Sequence, residues 1–98
     1  MEQFVTIHNT IINKNQIKTM HVERDVESTC DYDYPDGLRT TDIYLIIETL
    51  EDTKEFVILD DDFHDFIKFC MDFYCTDYEH AQKKAVALIN KAPIRTRN

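Results

Sequence analysis

An α+β fold is predicted by three features of the sequence. Apolar residues alternate with polar ones through the first 60 residues, the apolar period lengthens to 3.6 after residue 61, and turn-forming residues sit at the junctions. The expected architecture is a four- to five-stranded antiparallel sheet, a meander or β-roll, followed by two C-terminal helices packed on one face.

The elements follow in order. "EQFVTIH" alternates, with Phe4 and His8 apart from Val5 and Ile7, as a half-buried strand does. Asn9, Asn13 and Asn15 supply turn chemistry around Ile11 and Ile12. "KTMHVERDV" sets Met20 and Val22 against Thr19, His21 and Glu23, a second strand. In "TTDIYLIIETL" one face carries Thr41, Ile43, Leu45, Ile47 and Thr49, the other Asp42, Tyr44, Ile46, Glu48 and Leu50. Apolar residues on both faces mark a central strand. "EDT" turns the chain and "KEFVILD" returns it.

The period then changes. Phe63, Phe66, Ile67, Cys70 and Tyr74 fall within an arc of roughly 100° on a helix, with Asp61, Asp65, Lys68 and Asp72 opposite. Phe69 lies roughly 120° from the centre of that stripe, which places it outside the core arc. Thr76 and Glu79 have capping-box spacing and start a second helix. Its stripe is Tyr78, Ala81, Ala85, Leu88 and Ile89, and Pro93 ends it. The predicted core is Val5, Ile7, Met20, Val22, Ile43, Leu45, Ile47, Phe56, Ile58, Phe66, Ile67, Cys70, Leu88 and Ile89. One domain is expected over residues 1–92, with residues 93–98 as a solvated basic tail.

Ile7, Asn9, Ile12, Asn13, Ile17 and Met20 make a strand, two Ile-Asn turns and a second strand. This opening resembles small bacterial and phage proteins of the flagellar FlbD-like type. The resemblance implies a β-roll capped by a helix and no catalytic residues.

A chain of 98 residues is long enough for one modest core. An apolar fraction of 43% makes it globular in spite of 31% charge. The N-terminus has no basic segment followed by an apolar stretch, and no apolar run reaches the roughly 20 residues a bilayer requires. Cys30, Cys70 and Cys75 are too few and odd in number for a disulfide framework. A cytoplasmic protein without a membrane is expected.

The net charge of −8 is unevenly spread: +1 over residues 1–24, −13 over 25–77 and +4 over 78–98. The acidic middle repels phosphates, so direct nucleic-acid binding is not expected. Gly37 is the sole glycine, which leaves no phosphate-cradling loop or dinucleotide fingerprint. Ser28, the sole serine, lies in no nucleophile elbow, and no cofactor is expected.

Asp31 and Asp33 match the first two ligand positions of an EF-hand loop, but Pro35, Asp36 and Asp42 break the remainder. Pro35-Asp36-Gly37 reads instead as a reverse turn between strands. Asp60, Asp61, Asp62, His64 and Asp65 have no second histidine at zinc-motif spacing, and serve better as caps for a helix N-terminus. Cys70 belongs to the core.

These absences predict a small, acidic, non-enzymatic interaction module that binds a protein with a basic surface. The partner-binding residues expected are Asp31, Tyr32, Asp33, Tyr34, Asp36, Asp61, Asp65, Phe69 and Asp72. The same charge layout fits a phage or mobile-element inhibitor that imitates nucleic acid. A metal-binding protein or enzyme is a third class, and a homo-oligomer is compatible with the sequence.

Overall fold

The computed structural model describes residues 3–58 and 61–95. Five strands precede two helices: β1 Phe4–Ile7, β2 Thr10–Asn13, β3 Ile17–Ser28, β4 Leu38–Thr49, β5 Thr53–Val57, α1 Asp62–Tyr74 and α2 Tyr78–Asn90. The α+β class and the C-terminal helix pair are as the sequence predicts. The strands, however, form two antiparallel sheets, β1–β2 and β3–β4–β5.

The division begins at His8 and Asn9, which take φ of 50° and 63°. Two successive positive φ values make the two-residue turn whose twist suits a tight hairpin. Ile7 therefore pairs with Thr10, and the residues expected as turn chemistry, Thr10–Asn13, become a strand. The His8 N–H donates to Asp65 Oδ2 at 2.8 Å, so a helix carboxylate helps to hold the turn. Asn13 Oδ1 accepts from the Asn15 N–H at 2.9 Å, and a 3-10 turn at Lys14–Gln16 leads into β3.

In the larger sheet β4 is central, as its two apolar faces predict. Directly opposed residues share a face. The inner face includes Met20 with Ile47, and Val22 with Leu45 and Phe56. The outer face includes His21 with Ile46 and Glu55, and Glu23 with Tyr44 and Val57.

Val22, Leu45 and Ile47 meet Val5, Ile7 and Ile12 from the hairpin and Phe66, Ile67, Phe69 and Cys70 from α1 in one buried cluster. Ala81 and Ala85 bring α2 into it, and small side chains there permit close helix approach. Met20, Ile43, Phe56, Leu88 and Ile89, expected in the core, are partly buried against the cluster.

Phe69 corrects the sequence reading: it is 0% exposed, with its ring 6.4 Å from Phe66 and 5.7 Å from Phe73. A single amphipathic stripe assumes one buried side, but α1 packs against β1 and also against α2, which widens its buried arc.

The helix junction departs from expectation by one residue. Cys75 ends α1 in the left-handed region, and the Thr76 N–H donates to Met71 O at 3.0 Å, a Schellman-type closure. Thr76 is thereby committed to closing α1, and Asp77 caps α2, its Oδ1 accepting from the His80 N–H at 2.9 Å. The cap position of α1, Asp61, makes no side-chain capping bond, contrary to expectation. Asp62 and Asp65 still lie in the first turn, where carboxylates complement the helix dipole. Asp60 lies outside the described residues.

The basic tail also differs. Pro93–Arg95 is docked: the Arg24 N–H donates to Pro93 O at 3.0 Å and the Arg95 N–H to Arg24 O at 2.8 Å. The folded unit thus extends past residue 92. Among the described residues no helix is long and apolar enough to cross a membrane.

Candidate functional site

Two acidic surfaces stand out: the β3–β4 loop and the outer face of the three-stranded sheet. The loop runs from Thr29 to Gly37 and is folded by consecutive turns. The Tyr34 N–H donates to Asp31 O at 3.1 Å and the Gly37 N–H to Tyr34 O at 2.8 Å. The second bond closes the reverse turn expected at Pro35-Asp36-Gly37. Gly37 has φ 74°, a conformation that side chains with a Cβ rarely adopt.

Two of the loop carboxylates shape it. Asp31 Oδ1 accepts from the Asp33 N–H at 3.0 Å, and Asp36 Oδ1 from the Leu38 N–H at 3.0 Å. These local rings are why Asp is favoured in turns. Tyr32, at the tip, is 100% exposed, while Tyr34 is 36% exposed. Asp33, Tyr34, Pro35 and Asp36 border a shallow depression with Arg24, Leu38 and Thr40, of about 520 Å³.

The other expected contact residues are dispersed. Asp61, at the cap position of α1, and Asp72, on the helix, are exposed. Asp65 is half-buried and occupied by the His8 N–H, so it is no free contact residue. Phe69 is enclosed, which removes it from any interface. Asp65 faces the hairpin because the β1–β2 turn packs on the start of α1, a long-range contact that helical periodicity does not encode.

Sequence reasoning missed the sheet face. Arg95 reaches over it, with Nε 3.2 Å from Glu23 Oε1 and Nη2 2.5 Å from Glu55 Oε1. Its guanidinium carbon lies 4.6 Å from the centre of the Tyr44 ring. Loss of solvent around Arg95 works against its charge, but Glu55, Glu23 and Asp25 outweigh it and raise the pKa above the ordinary arginine value. Desolvation, the Asp42 charge and a hydrogen bond with Asp25 push the Tyr44 phenol up. The available signal was alternation: Glu23, Tyr44 and Glu55 each occupy the polar phase of their strand. What the sequence lacked was the place of Arg95.

Among the described residues no three His, Cys, Asp or Glu side chains come together to hold a metal ion. Burial pushes the Cys70 thiol up to about 12, whereas Cys30 and Cys75 are exposed. Chemically, the two acidic surfaces can attract cations, orient guanidinium and ammonium groups, and offer tyrosine rings to a partner.

No family model matches the chain, and neither does any curated protein or solved structure.

Proposed function

We propose that this chain is a non-enzymatic binding module whose β3–β4 loop meets a basic surface on a partner protein. The observation that carries the reading is Tyr32, wholly exposed between Asp31 and Asp33 on a backbone already folded into turns. An aromatic side chain of few rotamers on an ordered loop loses little entropy when it is buried by a partner. The charge of −13 over residues 25–77 supports steering of cationic surfaces toward it.

The test uses Asp31→Asn, Asp33→Asn and Asp36→Asn together. Asparagine keeps an Oδ1 acceptor for the Asp33 and Leu38 amides, so three charges go while the turns stay. Tagged wild-type and triple-variant chains serve as parallel baits, and a protein retained only by the wild type is purified. Its association should be slower with the triple variant and less sensitive to salt. Tyr32→Ala should mainly speed dissociation. Competition by duplex DNA would identify the basic surface as a nucleic-acid groove. An association rate indifferent both to salt and to the triple substitution removes the reading.

A further inference from the structure

The free edge of β3 receives a short strand from the chain's own C-terminus. Arg24 and Ile94 form a parallel bridge, closed by the two backbone bonds that join Arg24 to Pro93 and Arg95. Apart from that bridge, the described residues place no strand on this edge. The Arg95 side chain then crosses three strands, touching Glu23 of β3, Tyr44 of β4 and Glu55 of β5.

This arrangement suits arginine in particular. A planar guanidinium can address two carboxylates through separate N–H groups while its face lies on an aromatic ring. An ammonium, a compact point charge, cannot make the same set of contacts. The platform is not sealed: side-chain exposure is 27% for Glu23, 44% for Glu55 and 25% for Arg95. Two backbone bonds, the Arg24 Nε bond to Ala92 O at 3.2 Å and ion pairs that stay partly open to solvent hold the segment, and such pairs contribute little.

We propose that Glu23, Tyr44 and Glu55 form a receptor for the arginine of an extended basic peptide that adds to the edge of β3. Pro93–Arg95 occupies this receptor in cis in the isolated chain. Backbone pairing supplies the docking and the guanidinium the specificity, the division of labour found in strand addition. The tethered segment competes at an effective concentration on the order of millimolar, so an external peptide binds well only when the tether is weakened. None of the loop carboxylates is involved, so this surface stands or falls apart from the loop.

The test is an amide NMR titration of the full-length Arg95→Ala chain with acetyl-Ala-Pro-Ile-Arg-Thr-amide. Saturable shifts should centre on Glu23, Tyr44 and Glu55, with affinity at least tenfold higher than for the wild type. They should vanish when the peptide arginine becomes alanine, weaken severalfold when it becomes lysine, and vanish on adding Glu23→Gln with Glu55→Gln. No saturable shift, or equal binding of the lysine peptide, overturns the proposal. A second measurement needs no variant: in the wild type, the Arg24 amide should exchange hydrogen at least tenfold faster than that of Leu45 in the central strand. Equal exchange would mean that the segment leaves only on global unfolding, which also overturns it.

Discussion

Phe69→Ala is the sharpest check on how α1 is seated. The wild-type ring is 0% exposed and stacked in series with Phe66 and Phe73. Removal loses the transfer free energy of the ring and leaves a cavity in the buried cluster. Such truncations cost about 3–5 kcal/mol. A domain of this size has only about 5–15 kcal/mol in all, so a large part of the stability goes. With a urea slope of roughly 1–1.5 kcal/mol/M, the midpoint should fall by roughly 2–5 M. Phe69→Leu keeps part of the apolar volume and should lose on the order of 1–2 kcal/mol, which keeps the series measurable. Urea unfolding is followed by far-UV circular dichroism, with the slope required to stay constant. A shift below about 0.5 kcal/mol for Phe69→Ala is the value expected of a surface position. That result would refute the burial of this flank of α1 beside Phe66 and Phe73.

The remaining expectations are independent of it. Asp77→Ala should lower the unfolding midpoint more than Thr76→Ala does, because Asp77 makes the capping bond to His80. The His80 amide and ring hold the Asp77 carboxyl below its ordinary value, so its stabilisation is present above the usual carboxylate range and is lost as pH falls through the depressed pKa. The midpoint difference between wild type and Asp77→Ala should accordingly shrink in acid, and a difference that grows there would sink the cap assignment. In thiol titration with an aromatic disulfide at pH 8, the exposed Cys30 and Cys75 should react promptly. Cys70, with a thiol pushed up to about 12 by burial, should react only after denaturant is added. Prompt reaction of all three thiols would contradict the buried position of Cys70.

The sequence by itself determined the α+β class, the central place of β4, the two helices and most of the core, because these follow from local periodicity. Val22, Leu45 and Ile47 had to face one way once the strands were paired, and Phe66, Ile67 and Cys70 had to share a helix face. The reverse turn at Pro35-Asp36-Gly37 was legible for the same reason: its chemistry lies within four residues. What periodicity cannot encode is which side of an element meets a second neighbour. Phe69 is buried on the flank of α1 that carries Asp62 and Asp65, the side that meets His8 of the β1–β2 turn and that a single stripe leaves open. Thr76 lost the cap to Asp77 because the end of α1 claimed its amide. The hairpin split away from the sheet because His8 and Asn9 both adopt positive φ, with Asp65 accepting from the His8 amide 57 positions away. Arg95, in sequence only one charge of a basic tail, became the centre of a cluster because a parallel bridge at Ile94 carried it to β3. Glu23, Tyr44 and Glu55 come from three different strands, so their meeting with that guanidinium depends on sheet register, and register is a property of the folded chain alone.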